Sequence, residues 1–161
     1  TVTTMDQQIN AGSLSIDQVP GASSFSQVNV SLTSQSVDIN TAADSLKYSD
    51  MRGQRLSSYA LTVVNTQFLD VDSGQTIDVG QFEVKGHSGI NPGNLGDSVK
   101  CTLGSARSTL ATMSGAAVWM YRDITLRARV MQCGASPEFR LTVPGQTSAG
   151  VYRTTLTWSL S

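Results

Sequence analysis

The sequence predicts an all-β protein, an antiparallel β-sandwich of the Ig-like or jelly-roll-like kind, formed by a single domain over residues 1–161. Apolar and polar residues alternate with a period of two through most of the chain, whereas the period of an amphipathic helix hardly occurs. Turn-forming stretches rich in Gly, Pro, Asp and Ser separate the alternating runs at fairly regular spacing, as in sandwiches and barrels. A chain of 161 residues is also long enough to bury the core of one domain.

The predicted strands follow this alternation along the chain. They cover residues 27–33, 59–64, 77–84, 124–130, 139–143 and 152–160. Gly80 interrupts the third run, where we expect a bulge or kink, and one short helix is expected over residues 41–46. In the last run Leu156, Trp158 and Leu160 share one face while Ser and Thr occupy the other, which predicts a paired strand that closes the sandwich.

Composition limits the classes of partner. The chain has 22 Ser and 17 Thr but only 11 Lys plus Arg, and its net charge is −1. This balance predicts no binding to nucleic acid or to an anionic membrane, and the apolar runs are too short to span a bilayer. Thr1 in place of Met predicts that a signal peptide has been removed and that the protein is extracellular. In that setting Cys101 and Cys133 are expected to form one disulfide worth about 3–4 kcal/mol; the alternative is two buried free thiols.

No residues form a convincing catalytic or cofactor-binding pattern. His87 is the only histidine, and as the immediate neighbour of Ser88 it is badly placed to act as its base. Asp70, Asp72 and Asp78 resemble the start of a calcium loop, although the glycine and glutamate that a helix-loop-helix site needs are missing. We expect no catalytic residue, no cofactor and no metal, with these three aspartates as the weak calcium candidates and a plain hairpin turn as the alternative.

The ending "LTVPGQTSAGVYRTTLTWSL", residues 141–160, contains Trp158-Ser159-Leu160. This ending resembles that of the WxL domain of Gram-positive cell-surface proteins, which carries a Trp-x-Leu motif. Such domains have an earlier Trp-x-Leu after an Asp-x-Arg-Gly turn; here Asp50-Met51-Arg52-Gly53 precedes Tyr59-Ala60-Leu61, with Tyr in place of Trp. The opening "INAGSLSIDQVPGASSFSQV", residues 9–28, is similar to the start of secreted relatives. The Cys pair is not a family feature.

The resemblance implies a secreted, non-enzymatic β domain that is held non-covalently at the cell wall, with wall polysaccharide or peptidoglycan as its partner. From the residues alone, Tyr59, Leu61, Trp158 and Leu160 need no ligand, because an aromatic residue and a Leu two positions apart share one strand face and fill a core. We therefore favour core roles for all four.

A second function is compatible with the same sequence. The chain would be the subunit of an extracellular filament or pilus, and its partner would be another copy of itself. Residues 1–17 are extended and almost uncharged, and they would act as a donor arm that completes the sheet of the next subunit, with Ile9, Leu14 and Ile16 as plugs.

Overall fold

The structure is a computed structural model that describes residues 7–10, 12–42, 45–52, 57–86, 91–92, 105–106, 110–127 and 131–161. The described part of the chain is built almost entirely of strands, with one 3₁₀ turn at Val79–Gln81. The strands are Leu14–Gln18 (β1), Gln35–Asn40 (β2), Leu46–Asp50 (β3), Ser57–Asn65 (β4), Phe68–Asp70 (β5), Thr76–Ile77 (β6), Phe82–Gly86 (β7), Asn91–Pro92 (β8), Ser105–Ala106 (β9), Ala111–Thr112 (β10), Val118–Arg127 (β11), Met131–Ala135 (β12), Pro137–Val143 (β13), Tyr152–Arg153 (β14) and Leu156–Leu160 (β15).

The strands form four antiparallel sheets. Their orders are β1-β3-β12-β8, β10-β7-β13-β2, β15-β4-β11-β9 and β14-β5-β6. Most neighbours in a sheet are distant in sequence; β2 pairs with β13, for example, and β4 pairs with both β11 and β15. The predicted all-β, antiparallel, sandwich-like fold is therefore confirmed.

Alternation along the strands explains how the core forms. In β13 the side chains of Phe139 and Leu141 are buried, while Glu138 and Arg140 lie on the opposite face and pair with Lys85 and Asp38 of the neighbouring strands. The inward side chains of the sheets meet in one hydrophobic core. Its largest fully buried members are Tyr48, Tyr121, Phe82, Leu46, Leu61, Met113, Val63 and Val84.

Several predicted elements differ from the observed ones. The run 77–84 is divided, because Gly80 lies in the 3₁₀ turn, where its N–H donates to the Asp78 carboxylate at 2.8 Å. The closing run 152–160 is two strands, with a break at residues 154–155. The helix expected over residues 41–46 is wrong in its described part, since Leu46 is the first residue of β3 and is fully buried in the core.

The predicted strand over residues 27–33 is also wrong. Residues 19–34, which we call the strap, join β1 to β2 without any regular secondary structure. Val30 and Leu32, which alternation placed on the inner face, are 65% and 84% exposed. A segment with period-two alternation becomes a strand only when it pairs with the edge of a neighbouring strand. In the described structure the strap has no such pairing.

Candidate binding site

The two aromatic-x-Leu motifs lie on neighbouring strands. Leu61 in β4 is directly opposite Leu160 in β15, and Val63 is opposite Trp158. Tyr59 and Leu61 are buried, whereas Trp158 and Leu160 are half-buried and pack against the core from the edge of the sheet. The motif in β4 thus lies inside the core, and the motif in β15 lies at its margin.

The hydroxyl of Tyr59 has a partner inside this core. It lies 3.2 Å from the hydroxyl of Tyr48, and the two rings are 5.4 Å apart and tilted. A buried phenol needs such a partner because leaving the group without a hydrogen bond in an apolar interior costs free energy. Tyr in place of the expected Trp is therefore accommodated by a second tyrosine on β3.

Asp50 and Arg52 of the Asp-x-Arg-Gly sequence form an ion pair at the end of β3. The Asp50 carboxylate is buried and accepts hydrogen bonds from the Arg52 N–H, Nε and Nη2 at 3.1, 2.9 and 2.8 Å. Arg52 Nη2 also donates to the carbonyl of Ser58 at 2.8 Å, across the connection to β4. The hydrogen bonds to Asp50 raise the pKa of Arg52. This ion pair has a structural role, because the Arg52 guanidinium links the carboxylate at the end of β3 to the carbonyl of Ser58 in β4.

A groove of about 1070 Å³ opens beside β15. Its floor consists of apolar side chains from β2, β7 and β13, and its walls are residues 19–31 of the strap and the segment 144–155. Trp158 also lines it, whereas Leu160 does not. The walls carry many hydroxyls, and Arg153 is the single charged residue among the described residues that line the groove. A concave, mostly apolar site with a few polar groups is the usual form of a ligand site.

The strap contacts the rest of the domain at two places. The ring of Phe25 packs edge-on against Phe82, with centroids 6.3 Å apart, and tilted against Phe68 at 6.4 Å. Near the end of the strap, the N–H of Gln146 donates to the carbonyl of Ser31 at 2.7 Å. The groove was not predicted from the sequence, because part of the strap has the alternation of a strand and no local pattern indicates a cleft between segments that are distant in sequence.

Gly145 permits this attachment. A Cβ at position 145 would clash with the carbonyl of Leu32, so the turn that follows Val143-Pro144 needs glycine to approach the strap so closely. The Val-Pro-Gly sequence that precedes the closing strands therefore also fixes one wall of the groove.

Two of the three weak calcium candidates, Asp70 and Asp78, accept hydrogen bonds from the chain around them. Asp70 is buried; its carboxylate accepts hydrogen bonds from the Ser73 hydroxyl and from the Val151 N–H, and these bonds lower its pKa against the opposing effect of burial. Asp78 caps the 3₁₀ turn, and Asp72 is exposed. Within the described residues no group of three His, Cys, Asp or Glu side chains is arranged to hold a metal ion. Asp70 instead joins the β5–β6 turn to the segment that lines the groove.

The proposed donor-arm residues have different surroundings. Leu14 and Ile16 belong to β1, which pairs with β3, and both pack against the core of their own chain. Ile9 is 90% exposed. A polar cluster reinforces β1, because the Asp17 carboxylate accepts from the hydroxyls of Ser15 and Ser49 at 2.8 and 3.0 Å. In this structure β1 is thus a part of the domain.

Two further predictions fall wholly or partly outside the described residues. Cys133 is fully buried in β12, opposite Tyr48, and is not a free thiol. Cys101 lies outside the described residues, so the disulfide between the two stays a prediction. His87 also lies outside them.

The described part of the chain contains no helix long and apolar enough to cross a membrane.

Together, the antiparallel sheets and the groove define an all-β domain with one nearly uncharged concave surface among its described residues. The model of the WxL domain family, described as a surface cell wall-binding domain, matches residues 2–161. The chain therefore belongs to the WxL domain family, whose members are cell-wall-binding proteins of the cell surface. No curated protein and no solved structure matches the chain.

Proposed function

We propose that this protein is a non-enzymatic module that attaches non-covalently to the cell wall through the groove, with peptidoglycan as the ligand. One observation carries the proposal: Trp158, the aromatic residue of the family motif, lines a groove that is apolar at its floor and rich in hydroxyls at its walls. A polymer of uncharged sugars and short peptides suits such a surface, because hydroxyls hydrogen-bond to it and an aromatic ring covers its less polar faces.

Co-sedimentation with purified cell walls tests the proposal. Ala149 lines the groove and is exposed, so Ala149→Phe fills part of the groove without changing a charge or the core. Ala116 is equally exposed but lies outside the groove lining, and Ala116→Phe is the matched control. We expect Ala149→Phe to weaken wall binding at least tenfold while Ala116→Phe binds normally. If Ala149→Phe binds walls as tightly as Ala116→Phe, the wall-binding site lies outside the groove.

Two properties of the attachment need separate measurements. A non-covalent complex is released by concentrated chaotrope without cutting any bond, whereas a covalent one stays with the sacculus. A non-enzymatic module leaves purified walls intact, so no soluble wall fragments accumulate during prolonged incubation. Release of fragments above a heat-denatured control would contradict the second property.

The alternative function is a filament subunit that donates its N-terminal segment to the next copy. The observation that favours it is Ile9, whose side chain is 90% exposed and therefore accessible to a neighbouring copy. The packing of Leu14 and Ile16 against their own core favours the attachment module. Molar mass by light scattering separates the two: a filament subunit forms polymers that Ile9→Asp dissolves, and an attachment module is monomeric with or without that substitution.

A further inference from the structure

The strap offers the groove a run of free main-chain groups. Between Ala22 and Val30, the described structure contains no main-chain hydrogen bond from the strap to another main-chain group. The carbonyl of Asn29 accepts a hydrogen bond from the side chain of Gln35 at 2.7 Å, near the end of this run. Main-chain N–H and C=O groups that are not paired within their own chain are available to hydrogen-bond to an extended peptide. One wall of the groove is therefore suited to a peptide.

Arg153 adds a single positive charge to the same groove. Three other cations of the described structure are paired: Arg52 with Asp50, Lys85 with Glu138, and Arg140 with Asp38. Arg153 is exposed on β14 and forms no ion pair with a described carboxylate. A guanidinium presents donors in a fork that matches a carboxylate. In a groove without other charges, this side chain selects a ligand with one anionic group.

We propose that the groove binds an extended peptide that ends in a free carboxylate, with the carboxylate on Arg153 and the peptide groups along the strap. This is the chemistry of the stem peptides of peptidoglycan, and the inference rests on the function proposed above. The small apolar side chains of such a peptide fit the floor, where the half-buried Val37 and Ile39 of β2 lie. The rings of Phe25, Phe68 and Phe82 pack against one another and are not free to stack on sugars.

Calorimetric titration with a soluble stem analogue tests the inference. The probe is Nα,Nε-diacetyl-L-Lys-D-Ala-D-Ala, whose only charge is its carboxylate, and the comparison ligand is its C-terminal amide. We expect the acid to bind the unmodified chain at least tenfold more tightly than the amide. Arg153→Gln should abolish this preference and Arg153→Lys should restore part of it. Arg140→Gln, which removes a paired arginine on the outer face, should leave the preference unchanged.

The outcomes separate the inference from the function on which it rests. If Ala149→Phe loses wall binding but the peptide does not bind, the groove is the wall site and the peptide assignment is wrong. If Ala149→Phe changes neither, both proposals fail. If the unmodified chain binds the acid and the amide with equal affinity, Arg153 does not recognise the carboxylate. Tighter binding of peptide-free glycan chains than of the peptide would overturn the ligand class, and tighter binding of the L-Ala-L-Ala form would make a protein C-terminus the better source.

Discussion

Replacement of Trp158 by alanine should reduce stability and wall binding together. Complete burial of a tryptophan makes its truncation cost about 3–5 kcal/mol. Trp158 is half-buried at the margin of the core, so we expect a smaller loss of about 2–3 kcal/mol. For a chain of this size that corresponds to a fall in Tm of about 4–12 °C. Since domains are stable by about 5–15 kcal/mol, the variant stays folded and its binding can be measured.

Leu160→Ala is the internal control for this experiment. Leu160 lies on the same strand and the same face, is also half-buried, and does not line the groove. We expect it to lose about 1–2 kcal/mol in urea unfolding and to bind walls normally. If Trp158→Ala changes the free energy of unfolding by less than about 0.5 kcal/mol, its packing on the core is refuted. If both variants lose wall binding equally, Trp158 has no contact of its own with the ligand.

Three further predictions concern the rest of the domain. Arg52→Met removes the guanidinium that pairs with the buried Asp50 carboxylate and should lower the free energy of unfolding in urea by about 1–3 kcal/mol, between the values for exposed and buried pairs; an unchanged free energy would mean that this ion pair does not stabilise the fold. The folded-state pKa of Asp70 lies below its unfolded value, so its stabilisation is present above about pH 4 and is lost as the pH falls through the folded pKa; Ser73→Ala should reduce this acid dependence of Tm, and an unchanged profile would contradict it. A disulfide between Cys101 and Cys133 should make the intact mass lower by two hydrogen atoms than that of the reduced chain, and its reduction should lower the Tm; thiols that alkylate without reductant would contradict it.

The sequence predicted the paired strands where local pattern and tertiary environment agree. In β13, Phe139 and Leu141 alternate with charged residues because the strand has one buried and one solvated face. β4 carries Tyr59, Leu61 and Val63 on its buried face, so its alternation is equally informative. The Trp-x-Leu motif is informative for the same reason, because Trp158 and Leu160 share the face of β15 that packs against the core.

The strap and the groove were not predictable in this way. The alternation of Val28, Val30 and Leu32 is as regular as that of a real strand, yet no sheet edge pairs with it in the described structure. Strand formation depends on a partner, and the partner is a property of the whole fold. The contact of Phe25 with Phe68 and Phe82 also joins segments far apart in sequence, and no spacing rule anticipates it.

The position of Trp158 links its packing on the core to its proposed role in binding. Its half-buried ring touches the core on one side and the groove on the other, so a substitution that loosens β15 changes the shape of the groove. Arg153 precedes the same strand on β14, and Asp70 holds the neighbouring Val151 through its N–H. The residues proposed to bind the ligand and the residues that stabilise the fold thus lie close together along one short segment. When a substitution in this segment abolishes wall binding, the free energy of unfolding of the same variant must also be measured. Only a variant that keeps its stability identifies a residue that contacts the ligand.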